Sequence, residues 1–275
     1  MRVVMSVDIE GATGVVAHKE TSEGAYDYER ARRYLTRDVN AAIEGALEGG
    51  ATRIVLHDTH GLNYRNILFE DLHPAAELVK GMPILFFEGL KPEFDACLLI
   101  GMHSSPWTPG VLSHLFSSEF FRGVRVNGQP VGEGHVTAAM AGELGIPTVL
   151  VTGDDLTAKE MKASIPDIET VVVKKAIHRY AAECLTFEKT LPMIREGAKR
   201  AMHKAKKVKP FYYKGPAEVE LDLHNPYHAS VFAKLLPDVR AEKVTVHYTA
   251  RDSWDIYRFL TLSLYLINSR LFPDW

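Results

Sequence analysis

The chain has 275 residues, 46% of them hydrophobic and 24% charged, with a formal net charge of −3. That is enough apolar material for one elaborated domain or two lobes, and the near-neutral balance argues against a polyanion-binding surface, so nucleic acid is not an expected partner. Two cysteines, Cys97 and Cys184, are too few for a disulfide framework, and both read as reduced core thiols.

The opening run Val3, Val4, Met5 and Val7 is dominated by β-branched residues without polar alternation, which predicts a strand buried on both faces. It is too short for a secretory signal, and no stretch reaches the length of a membrane span, so no membrane partner is expected and the cytoplasm is the expected compartment. The strand ends abruptly in Asp8 and Glu10. In extended geometry these i and i+2 carboxylates share one face roughly 6 to 7 Å apart. Two anions that close require a metal, a proton or a basic partner between them. The following Gly11-Ala-Thr-Gly14 lacks the order of a phosphate loop, and the two acids before it would repel a pyrophosphate.

Apolar positions between Tyr28 and Leu47 recur at helical spacing, with Gly49-Gly50 as a stop. The strand design then repeats: Arg53–His57 ends in Asp58-Thr59-His60-Gly61, Ala96–Gly101 in Met102-His103-Ser104, and Thr148–Val151 in Thr152-Gly153-Asp154-Asp155. In open parallel sheets ligands bind beyond the carboxyl ends of the strands, so these polar endings aim at one crevice. Between the second and third strands, Leu72 begins a short helical stretch, followed by an extra edge strand at Pro83–Phe87. Val124–Val131, with Asn127-Gly128 at its centre, predicts a hairpin. Its second arm runs into Glu133 and a helix from His135 to Leu144, which places Glu133 at a strand-to-helix junction facing the same crevice.

Further strands are expected at Val171–Val173, Val219–Leu223 and Val244–Tyr248, with helices near Phe187–Lys206, Pro226–Leu236 and Asp252–Leu271. The basic run Lys204–Lys209 reads as a solvated helix C-terminus, where cations favour the macrodipole. Asp154 and Asp155 read as a helix cap before Leu156–Ser164 rather than as ligands. The fold expected is α/β, a mostly parallel sheet with flanking helices in residues 1–165, packed against a smaller α+β part in residues 166–275.

Asp8, Glu10, His60, His103 and Glu133 form a nitrogen and oxygen donor set without thiolate, which suits zinc, manganese, iron or cobalt better than calcium or magnesium. Five ligands exceed the three typical of one catalytic zinc. They fit two metals if one carboxylate bridges, and Asp8, at the end of the first strand, is the natural bridge. The Pro- and Gly-rich loop Ser104–His114 follows the His103 strand, and His114 is a candidate general acid or base there.

Taken in order, Asp8-x-Glu10-Gly, Asp-Thr-His60, Gly-Met-His103, Thr-Pro-Gly-Val-Leu-Ser-His114 and Pro-Val-Gly-Glu133 resemble the motifs of the DppA-type D-aminopeptidase family of zinc peptidases. The resemblance implies two Zn2+ per subunit on Asp8, Glu10, His60, His103 and Glu133, with Asp8 bridging and His114 catalytic. It also implies a self-compartmentalising homo-oligomer, a decamer, that takes short peptides. Leu115 stands where a small polar residue is expected. The competing readings are a magnesium phosphohydrolase of the haloacid-dehalogenase type, which leaves the three histidines without work, and a metal-binding assembly protein without turnover.

Overall fold

The computed structural model describes residues 1–61, 64–81, 87 and 90–269. In chain order its elements are β1 (Arg2–Val7), α1 (His18–Thr21), α2 (Tyr28–Glu48), β2 (Arg53–Asp58), β3 (Ala76–Val79) and β4 (Ala96–Met102). Next come β5 (Phe121–Val126), β6 (Gln129–Val131), α3 (Glu133–Glu143), β7 (Thr148–Asp154), α4 (Asp155–Ser164), β8 (Glu169–His178), β9 (Ala181–Cys184) and α5 (Phe187–Lys204). The chain closes with β10 (Ala217–Leu223), α6 (Pro226–Leu235), β11 (Val239–Glu242), β12 (Thr245–Ala250) and α7 (Ser253–Ile267).

The strands form two sheets. The larger runs β3-β2-β1-β4-β7-β8-β9, parallel except for β9, and the smaller runs β11-β12-β10-β5-β6 with antiparallel pairing throughout. β1 is central, buried from Val3 to Val7 because helices cover both faces of a parallel sheet. One of those helices is α2, which presents Ala31, Leu35, Val39, Ala42, Ile43 and Ala46 to the core at the spacing read from the sequence.

From β1 the chain moves outward to β2 and β3, then returns to the other side of β1 with β4. That reversal is the switch point at which an open sheet leaves a crevice. Val7 lies opposite Asp58 on one side and Ile100 on the other, so Asp8, Thr59-His60 and Met102-His103 emerge side by side. The strand ends pack so closely that two glycines are required. A Cβ on Gly11 would lie 2.0 Å from the Met102 carbonyl oxygen, and one on Gly101, whose φ is +72°, would lie 2.1 Å from the Asp8 carbonyl oxygen.

Several expectations are corrected. The sheets divide elsewhere than at residue 165: β8 and β9 extend the parallel sheet, while the β5–β6 hairpin joins β10 and β12, because open edges pair regardless of distance along the chain. The stretch after Leu72 gives the edge strand β3, not a helix. Of the strand expected at 83–87, residues 83–86 lie outside the described residues. β1 stops at Val7, and Glu10 sits in a turn rather than in continued extended chain. Cys97 is buried, but Cys184, on the last strand of its sheet, is exposed; both are free. Among the described residues no helix is long and apolar enough to cross a membrane.

Gly101→Ala adds a methyl group against backbone at positive φ. It is expected to destabilise the protein by about 1–3 kcal/mol, read as a fall in the urea midpoint at unchanged slope. An unchanged midpoint would show that the strand ends are not so tightly packed.

Candidate metal centre

His60 stands in the turn after β2. Its Nε2 lies 2.7 Å from the Thr21 carbonyl oxygen, and a carbonyl only accepts, so Nε2 carries the proton. In the neutral ring Nδ1 then presents a lone pair, which faces Asp8 Oδ1 at 3.1 Å and Glu10 Oε2 at 3.0 Å. His103, just past β4, repeats the arrangement: Nδ1–H donates to the Ser104 carbonyl at 3.0 Å, and Nε2 faces Asp8 Oδ2 and Glu133 Oε1, each at 3.4 Å. His114 repeats it again, with Nδ1–H donating to the Leu112 carbonyl at 2.8 Å and Nε2 lying 3.8 Å from Glu133 Oε1. The His114 ring stacks on His103 with centroids 4.2 Å apart.

Three imidazole nitrogens therefore converge on three carboxylates, lone pair against lone pair. Such an arrangement is repulsive unless cations, either protons or metal ions, lie between. Asp8 Oδ2, Glu10 Oε2 and His103 Nε2 are buried without a hydrogen bond, the condition expected of metal donors seen without metal. The donor atoms of Asp8, Glu10 and His103 lie within 4.8 Å of one another, as do those of His103, His114 and Glu133. Asp8 offers Oδ1 to the His60 side and Oδ2 to the His103 side. A backbone carbonyl fixing the second ring nitrogen is also the usual support of metal-binding histidine. The residues present thus fit one or two divalent ions of the imidazole-and-carboxylate kind.

The electrostatics agree. Burial acts to raise Asp8, but the His60 hydrogen bond and the His103 charge outweigh it and hold Asp8 well below the usual carboxylate range. Burial and the neighbouring Asp8 charge push Glu10 up to about 7. Burial opposes charge on His103, yet Glu133 and Asp8 raise it to about 10, while Glu10 and Asp8 take His60 well above its ordinary value. Burial, with the charge of His103 beside it, lowers His114 to about 4, so its ring is neutral at pH 7 with the lone pair on Nε2.

The loops carrying site residues are fixed by polar side chains, buried ones at Asp58, Asp154 and Lys174 and a half-buried one at Glu160. Asp58 accepts the backbone N–H groups of Asn66 and Ile67, and the Asn66 side chain donates to the His60 carbonyl. Glu160 accepts from the backbone and hydroxyl of Ser105 and from the Thr108 hydroxyl. Asp154 caps α4, as read from the sequence, accepting from the Thr157 backbone at 2.7 Å. Its second oxygen accepts from the Val111 backbone at 2.7 Å, which ties the cap to the His114 loop. Asp155 accepts the Ala176 N–H and does not reach the cluster. Lys174 donates to carbonyls in the turn after Asp8. Nothing local marks Glu160 and Lys174 as supports in the sequence, or ties Asp154 to the His114 loop, because those partners lie about 40 to 160 residues away.

A cavity of about 90 Å³ opens on the cluster, lined by Asp8, Thr59, His60, Gly61, His114, Glu133, Phe116 and Leu264. Phe116 and Leu264 give it an apolar wall that sequence reasoning missed, since Leu264 comes from α7 at the far end of the chain. Leu115 is fully buried and belongs to the core, not to the cavity. Leu112 and Phe116, on either side of His114, adopt φ of +50° and +52°, strain of the kind that clusters at functional sites.

Comparison with known proteins decides the family: a model described as D-aminopeptidase matches residues 1–262. The chain belongs to the D-aminopeptidase family. A D-aminopeptidase from Bacillus subtilis (strain 168) is 34% identical over 264 residues, 94% of each chain. The solved structure of the Zn-dependent D-aminopeptidase DppA from Bacillus subtilis, a self-compartmentalizing protease, is similar with a TM-score of 0.92 at 32% identity, covering 98% of this chain and 99% of that one. The family found is the one the motifs pointed to, and the fold is shared.

Groups raised on folding stabilise the protein while protonated and lose that contribution as pH rises through the folded value. Glu10, raised to about 7, loses what remains of it between pH 6.5 and 8, and His103, raised to about 10, loses part of it there; the opposing gain from His114, lowered to about 4, is small above pH 6.5 because its unfolded ring is by then half neutral. In excess chelator the melting temperature is therefore expected to fall from pH 6.5 to 8, and saturation with a divalent metal should abolish the fall. A rise in chelator would contradict the charge arrangement.

Proposed function

We propose that this protein is a zinc-dependent aminopeptidase that removes N-terminal D-amino acids from short peptides, with two Zn2+ in each subunit. The observation that carries the reading is the set of three carbonyl-fixed imidazoles whose remaining nitrogens face Asp8, Glu10 and Glu133. Asp8, Glu10 and His60 would hold one ion and Asp8, His103 and Glu133 the other, Asp8 bridging. Support for zinc and for the substrate comes from the Bacillus subtilis relative, a Zn-dependent D-aminopeptidase.

Zinc bound there supplies Lewis-acid polarisation of the scissile carbonyl. The chain's own groups do the rest. His114, neutral with its lone pair on Nε2, accepts a proton from the attacking water and returns it to the leaving amine. The Leu112 carbonyl holds the ring in the required tautomer, and Phe116 and Leu264 keep bulk water from the reacting atoms. The proximity of His114 Nε2 to Glu133 supports a second reading, in which His114 is itself a ligand.

That relative is self-compartmentalizing, and we take this protein too as a homo-oligomer, a decamer on the family resemblance, residing in the cytoplasm. Mass in solution tests the assembly.

Zinc-loaded protein, offered peptides with an N-terminal D-residue, their L-isomers and a phosphate ester, should release amine from the D-peptides and lose the activity to chelator. Phosphate release would favour the phosphohydrolase, and no turnover a binding protein. His114→Ala should keep its zinc and lose on the order of 10²- to 10⁴-fold in kcat. Loss of zinc with the activity would make His114 a ligand, and near-normal turnover would remove it from the mechanism.

A further inference from the structure

Lys174 is a cation buried in the sheet, 1% exposed, on β8 beside Asp154 of β7. Among the described residues its Nζ makes no carboxylate contact within ion-pair distance. It donates instead to three peptide carbonyls, those of Glu10 at 2.6 Å, Ala12 at 2.9 Å and Val15 at 2.5 Å. Three accepting oxygens require three N–H donors, so the group is the ammonium and not the amine. The three carbonyls belong to one tight turn, the one that leaves β1 and carries Glu10. A turn of that kind, with its oxygens pointing inward, is a cage of the sort that peptide carbonyls build for a bound cation.

The same turn is held from its other sides. Asp38 of α2 accepts the Thr13 backbone N–H at 2.7 Å, and the Thr13 hydroxyl donates to Thr190 of α5 at 3.0 Å. Gly11 is wedged against the Met102 carbonyl oxygen. Lys174 reaches the backbone of Glu10 itself, whose carboxylate faces His60.

We propose that Lys174 is a positioning residue for the metal centre, its ammonium serving as an internal cation that shapes the turn from Glu10 to Val15 and so sets where the Glu10 carboxylate meets the ion beside His60. The inference rests on the dinuclear reading above. It separates the two ions: the site of Asp8, Glu10 and His60 depends on Lys174, and the site of Asp8, His103 and Glu133 does not.

The test is zinc binding to the full-length protein, titrated against a chromophoric chelator, with activity left aside. In Lys174→Met one of the two zinc affinities, the one that Glu10→Gln also lowers, should fall at least tenfold and the other change less than threefold. Lys174→Arg keeps the charge, but a planar fork does not match three converging carbonyls, so it should show the same one-site loss in a folded protein. Lys174→Ala should regain at least half of the lost zinc occupancy with ethylammonium added at tens of millimolar, and not with tetramethylammonium, which cannot donate. Unchanged zinc affinities in folded Lys174→Arg or Lys174→Met overturn the proposal. So does loss of fold in all three variants, or a fall in melting temperature without a change in zinc binding, since Lys174 would then serve the fold and not the ion. Failure of the unmodified protein to bind two zinc ions would sink the dinuclear reading itself, and Glu10→Gln, which removes a proposed ligand without touching Lys174, separates the two failures.

Discussion

An imidazole whose proton is already committed to a backbone carbonyl has a lone pair left over, and here three such lone pairs face carboxylate oxygens in a buried crevice. In water that opposition would be screened, but in a dry site it must be answered by positive charge. Without metal, protons answer it, which is why His60 and His103 lie above their ordinary range. The carbonyl partners are as much a part of the centre as the imidazoles they orient.

The rest of the molecule holds this opposition in place. The reversal of strand order between β1 and β4 sets Asp8 and His103 next to each other, and β2 brings His60 to the same end. The smaller sheet contributes through the β5–β6 hairpin, which delivers Glu133 as the first residue of α3. Loops of this length would wander if left to solvent. Buried Asp58 and Asp154, the half-buried Glu160 and the ammonium of Lys174 give these loops fixed hydrogen-bonding partners. The apolar wall of Phe116 and Leu264 then closes the crevice, which keeps the effective dielectric low where charge matters most.

Much of this was legible along the chain because the signals are local. A β-branched run that stops at an acid or a histidine marks a strand end, and three such ends place Asp8, Glu10, His60 and His103 as neighbours. Asn127-Gly128 gave the hairpin and, through it, Glu133; the Pro- and Gly-rich loop gave His114. What stayed hidden depends on long-range pairing. The apolar run of β8 ends at Val173, and nothing nearby shows that Lys174 points into the core to meet carbonyls about 160 residues earlier. Leu264 looks like any other apolar position of α7, and the membership of β5 in the smaller sheet follows from its pairing with β10, not from its own residues. Asp8 and Glu10 were expected on one extended face, yet they converge because the chain turns after Val7.

Anomalous diffraction at the zinc absorption edge, from crystals of the zinc-loaded protein, addresses the central claim directly. The account predicts two peaks per subunit about 3.5 to 4 Å apart, one touching Glu10 and His60, the other His103 and Glu133, with Asp8 between them. Zinc elsewhere on the surface, or these side chains turned away from any ion, would contradict it.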